Sequence, residues 1–150
     1  MKAKALLELI GTPDPANPDW PFKVAELSEG LGNALSESPE LKEISLALGR
    51  VADDFGCDAV TGASSLGERL AGAIVVGTDN GLALYSRDHP AGTVLIVDGL
   101  LATGAQISRK ARLVREAGTD HVVGAVVLAE HGALADCREE IGDVVALEEF

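Results

Sequence analysis

The stretch Val94-Leu-Ile-Val-Asp-Gly-Leu-Leu-Ala-Thr-Gly-Ala-Gln-Ile107 decides how the rest of the chain is read. Its four leading apolar residues, Val94 to Val97, predict a strand buried on both faces, as in a parallel sheet covered by helices. Asp98 is expected where that strand emerges, with Asp98–Thr103 as a loop. A helix is expected over Gly104–Ala117, stopped by Gly118. The first amides of such a helix lack intrahelical partners, and the helix dipole adds positive potential there. A strand–turn–helix of this kind is therefore a phosphate-binding element. Gly104 is expected to let the backbone approach a ligand, and Thr103 to add a hydroxyl donor.

Outward from this segment, strands and helices alternate. Asp58–Thr61 reads as a strand, Gly62–Ser65 as a small-residue loop and Leu66–Gly77 as a helix with Leu70, Ala73 and Ile74 inward. Leu82–Tyr85 is a second strand, Arg87–Gly92 a turn and Thr93–Val97 the central strand. His121–Ala129 is the longest strand, followed by a helix around Ala133–Ile141 and a last strand, Asp143–Leu147. Upstream, Ser38 is a candidate N-cap with Pro39 at the first helical position. Leu41, Ile44, Leu48, Val51 and Phe55 then form one stripe at helical spacing, and Gly56 is placed to end that helix. Lys2–Ile10 predicts a short helix, and the proline-rich Thr12–Pro21 an irregular connection. Phe22–Leu35 is ambiguous: Val24, Leu27, Leu31 and Leu35 are spaced for a helix that Gly30 and Gly32 weaken. The fold class expected is α/β, a three-layer α/β/α arrangement with a mostly parallel five-stranded sheet. At 150 residues the chain fits a single domain over 1–150, with 1–37 as an N-terminal extension or hood.

Composition narrows the function. A formal charge of −12 argues against a nucleic-acid surface. Cys57 and Cys137 show no paired spacing and read as core thiols in a reducing cytoplasm. The apolar run near the start is broken by Glu8, Gly11 and Pro13, which fits neither a signal peptide nor a membrane span. The histidines and cysteines have no metal-ligand spacing.

Val94–Ala105 resembles the phosphoribosyl pyrophosphate signature of the type I phosphoribosyltransferases, most like the orotate-type branch. The surrounding order of elements agrees from about Leu41 to Leu147. The resemblance implies a phosphoribosyltransferase-like (Rossmann-like) fold, with the strands ending at Thr61 and Val97 side by side. It implies that Ala102, Thr103, Gly104, Ala105 and Gln106 bind a 5′-phosphate and that Asp98, the catalytic candidate, accepts from a ribose hydroxyl. It assigns pyrophosphate to Ala63, Ser64 and Ser65, a segment that taken alone reads as an ordinary turn. It further implies a homodimer and a magnesium ion accompanying any diphosphate substrate, with no other cofactor and no protein metal site.

The chain departs from the family pattern at three points. The acidic pair is reduced to Asp98-Gly99, so Gly99→Asp is expected to tighten ribose binding. Gln106 replaces a hydroxyl residue in the phosphate turn. Only Ser86–Gly92 stands where the family has a long catalytic loop; within it Arg87 and His89 read as ordinary turn residues. The expected function is thus a non-catalytic sensor or binding module for a phosphorylated ribose or nucleotide. The alternative is an active glycosyltransferase of pyrimidine-type nucleotide metabolism, joining phosphoribosyl pyrophosphate to a base such as orotate. Two further residues are open: His131, in an expected Glu130–Ala133 loop, as a base contact, and Trp20 or Phe22 as ligand cover. Arg109, Lys110, Arg112 and Arg115 read as a solvated helix face.

Overall fold

The computed structural model describes residues 2–79, 81–88 and 92–150. His89, Pro90 and Ala91 of the expected Arg87–Gly92 turn therefore lie outside the described residues. The elements are α1 (Lys2–Ile10), α2 (Trp20–Ala34), α3 (Ser38–Asp54), β1 (Ala59–Gly62), α4 (Ser65–Gly77), β2 (Ala83–Leu84), β3 (Thr93–Leu101), α5 (Ala105–Glu116), β4 (His121–Ala129), α6 (His131–Ile141) and β5 (Asp143–Glu149).

The five strands form one sheet in the order β2-β1-β3-β4-β5, and every neighbouring pair is parallel. Leu95 and Val97 point to one face of β3, where they pack with Leu31, Ile44, Leu48, Leu70 and Ile74 of α2, α3 and α4. Val94 and Ile96 point to the other, against Ile107, Ala111, Leu134 and Cys137 of α5 and α6. The period-2 alternation of a strand thus divides one apolar run between two helical layers. The succession turns one way from β1 to β2 and the other way through β3 to β5. Its reversal point lies between β1 and β3, where Thr61 pairs with Ile96 and Gly62 with Val97. In open parallel sheets the crevice at such a point, beyond the carboxyl ends of the strands, is where ligands bind.

Several boundaries differ from the sequence expectation, each for a tertiary reason. The central strand does not stop at Val97 but runs to Leu101, because β4 continues beside it and pairs Asp98 with Val126 and Leu101 with Ala129. The ambiguous segment is helical from Trp20, with Pro21 in its first turn and Leu27 and Leu31 fully buried. That burial outweighs the low helix propensity of Gly30 and Gly32. Ser38 is not the N-cap of α3; Glu37 holds that position, and neither side chain caps the helix. Phe55 ends the α3 stripe as a partly exposed residue, and Gly56, at φ +64°, closes the helix as expected.

Candidate functional site

Two helices begin at the reversal point. Helix α4 starts one residue beyond Ser64, which caps it: the Ser64 hydroxyl accepts from the Gly67 amide at 3.1 Å. Helix α5 starts after Gly104, whose φ of +79° is the left-handed conformation that glycine adopts without strain. Gly104 therefore serves the chain reversal. A Cβ there would point toward Cys137, Leu101 and Ala133, while the residue itself lines the cavity described below. Thr103 Oγ1 accepts from the Ala105 amide at 3.3 Å, leaving its hydroxyl hydrogen available. Among the described residues, the amides of Ser65 and Leu66 on α4, and of Gln106 and Ile107 on α5, donate to no protein group.

Both helix starts open into one cavity of about 720 Å³. Its floor holds Ser64, Ser65, Leu66, Asp98 and Leu100; one side is Leu101, Ala102, Thr103, Gly104, Gln106 and Ile107. The opposite wall is Pro21, Val24, Ala25 and Ser28, one face of α2 at helical spacing. Helix α2 thus contributes one wall. Neither Trp20 nor Phe22 lines the cavity, and Phe22 is 74% exposed.

Asp98 is buried, at 4% exposure. Its Oδ1 accepts from the Ser64 hydroxyl at 2.6 Å and from the Gly99 amide at 2.8 Å. Burial pushes its pKa above the usual carboxylate range, against the lowering effect of those two hydrogen bonds. One oxygen is therefore committed to joining β3 to the start of α4, and only Oδ2 remains for a ligand. The Ser64 hydroxyl is committed as well, donating to Asp98 while accepting from Gly67.

Other expected site residues lie outside this cavity. The Ala63 amide donates to the Val97 carbonyl at 2.9 Å and its side chain packs against the α5–α6 core, so Ala63 stays outside the cavity. Ala105 is exposed and does not line the cavity; Ala102 and Gln106 do. At Gly99 a Cβ would overlap the Leu66 Cδ2 atom and lie 3.2 Å from Leu31 Cδ2. A second carboxylate there would have to displace the side-chain tips of Leu66 and Leu31 before it could face a ligand. His131 opens α6, with Nδ1 3.2 Å from Glu149 Oε1, and does not reach the cavity. The expected Glu130–Ala133 loop is the capped start of that helix: Glu130 Oε2 accepts from the Ala133 amide at 2.6 Å. Arg109, Lys110, Arg112 and Arg115 also lie off the cavity, and Arg115 donates to the Ile141 carbonyl.

Gly67 and Glu68 carry parts of the site that the sequence reading missed. A Cβ on Gly67 would overlap the Val97 carbonyl and lie 3.1 Å from Gly62 Cα, so the first turn of α4 rests on strand backbone. Glu68 folds back beneath the loop, where Oε1 accepts from the Gly62 amide at 3.1 Å. The spacing Gly62-x₄-Gly67-Glu68 is the signal that records this contact.

The donor set does not form a metal site of its own. Among the described residues no three His, Cys, Asp or Glu side chains cluster, and the cavity offers one free carboxylate oxygen. Magnesium takes near-octahedral oxygen coordination, with most ligands from substrate phosphate and water when the protein supplies so few. No described helix is long and apolar enough to cross a membrane.

Solved structures share this architecture. The chain is similar to a phosphoribosyltransferase from Corynebacterium diphtheriae at 20% identity and TM-score 0.67, covering 100% of this chain and 97% of that one. It is similar to the orotate phosphoribosyltransferase of Mycobacterium tuberculosis H37Rv in complex with 5-phospho-α-D-ribosyl 1-diphosphate, at 20% identity and TM-score 0.67, covering 91% and 92%. The fold is phosphoribosyltransferase-like. An adenine phosphoribosyltransferase from Giardia lamblia with bound 9-deazaadenine shares it at 16% identity and TM-score 0.65, over 83% of this chain and 84% of that one. No family model matches the sequence, and no curated protein matches it either. The phosphoribosyltransferase-like fold, with the strands ending near Thr61 and Val97 side by side, was expected from the Val94–Ala105 resemblance.

Proposed function

We propose that this protein is a binding module of phosphoribosyltransferase-like fold, which takes a phosphorylated ribose or nucleotide without turning it over. The observation that carries the reading is the convergence of two helix starts with unpaired amides on one cavity. Amides already oriented by their helices bind an oxyanion with little reorganisation. In this reading the Thr103 hydroxyl and the Gln106 and Ile107 amides hold the phosphate, and Asp98 Oδ2 accepts from a sugar hydroxyl. The absence of turnover is supported by the single acidic residue beside Gly99 and by the short connection from Tyr85 to Thr93. Sites of this kind are commonly completed by a closing lid, for which this connection is too short.

An active enzyme is the second reading, favoured by the likeness to a relative that binds a phosphoribosyl diphosphate. Thermal unfolding with phosphoribosyl pyrophosphate, nucleoside monophosphates and inorganic phosphate tests both. A ligand at a hundred times its Kd stabilises by about 2.7 kcal/mol, which for a chain of this size raises Tm by roughly 5–10 °C. A rise with no pyrophosphate released on adding nucleobases supports the module. Release supports the enzyme, and no rise with any ligand refutes both.

A further inference from the structure

The charge balance of the cavity narrows the ligand class. Among the described residues no Lys, Arg or His lines it, although it is shaped to receive an anion. Arg69 lies in the adjoining groove between α2 and α4, which Glu29 also lines. The attraction for an anion must come from the helix starts, each equivalent to roughly half a positive charge. Against these stands Asp98, more than nine-tenths buried, whose Oδ2 accepts no protein hydrogen bond and borders the cavity. The overall charge of −12 adds a repulsive background.

We infer that the ligand carries one phosphate, as a phosphomonoester of a sugar or nucleoside, and that it binds without a divalent cation. This rests on the binding-module reading and specifies its ligand. About one unit of positive potential from two helix starts suits a single phosphate group. A diphosphate elsewhere on the same ligand meets no cation in the cavity, and a metal brought to neutralise it finds one free carboxylate oxygen. Val24, Leu66, Leu100 and Ile107 add apolar surface beside the polar groups, which fits a sugar face or base.

Isothermal titration of the full chain tests this. The ligands are ribose 5-phosphate, a nucleoside 5′-monophosphate, the matching 5′-diphosphate and phosphoribosyl pyrophosphate, each with excess EDTA and with excess magnesium. The monophosphates are expected to bind at least about tenfold tighter than the diphosphate and the pyrophosphate. Magnesium is expected to change their Kd by less than about twofold. Tighter binding of either diphosphorylated ligand, or binding only with magnesium, overturns the inference while leaving the module reading intact. No binding in any arm overturns both. Gln106→Glu supplies an independent check. A carboxylate in the first turn of α5 favours the helix, so Tm should hold or rise, while monophosphate affinity should fall at least about tenfold. An unchanged affinity in the folded variant also overturns the inference.

Discussion

Helix α4 contains two glycines whose replacement by alanine should act in opposite directions. At Gly72 an added Cβ meets nothing within 4 Å, and the substitution removes only the entropic cost of glycine in a helix. Gly72→Ala should therefore stabilise by about 0.5–1 kcal/mol. At Gly67 the same methyl group overlaps the Val97 carbonyl and presses on Gly62, and both obstacles are backbone. Backbone cannot swing aside as a leucine tip can, so the overpacking cost belongs in the upper part of the usual range of about 1–3 kcal/mol. Subtracting roughly 1 kcal/mol of regained helix propensity leaves a net loss of about 1–2 kcal/mol. In a chain of this length that difference lowers Tm by about 2–8 °C, whereas Gly72→Ala raises it by about 1–4 °C. Denaturant titration of the two variants beside the parent measures both, with an unchanged slope confirming that stability alone has moved. The parent sequence is the internal standard. Equal shifts in the two variants would refute the claim that the first turn of α4 sits directly on β1 and β3.

Three other substitutions address the site. Burial holds the folded pKa of Asp98 above its unfolded value, so this group's stability contribution is present below the unfolded carboxylate range and lost as pH rises through the folded value. Asp98→Asn, which keeps an acceptor for Ser64, should accordingly be at least as stable as the parent at pH 7, with the advantage shrinking toward about pH 4; melting curves that show the reverse trend count against it. Gly99→Asp should destabilise by about 1–3 kcal/mol, because the side-chain tips of Leu66 and Leu31 must move aside for it, and should not tighten sugar phosphate binding; a stable variant of higher affinity in calorimetry would contradict this. Glu130→Ala removes the cap on Ala133 and should cost about 1 kcal/mol, read as a lower denaturant midpoint; no change would deny the cap a role.

Much of this arrangement was legible because one apolar run, an acid and a Thr-Gly turn fall in register from Val94 to Ala105. That register located the helix start and the crevice. What the sequence concealed was direction. Asp98 reads as a residue at a strand end, but β4 runs on beside it and extends the strand, so the carboxylate is buried and half committed to Ser64. Gly99 reads as a lost acid until its neighbours, distant in sequence, prove to be leucines. His131 reads as a loop residue because its partner, Glu149, arrives from the last strand. Helix α2 itself was ambiguous in the sequence, and nothing local to Pro21–Ser28 indicates that this stretch faces the Thr103 turn.

The Ser64–Asp98 hydrogen bond joins residues 34 positions apart in the chain. It acts as a crosspiece between β3 and the start of α4: a displacement of one jaw drags the other along. A mutation that reshapes either side alone must also break or stretch that crosspiece, so variants with altered ligand preference should arise mostly from paired changes at positions 64 and 98.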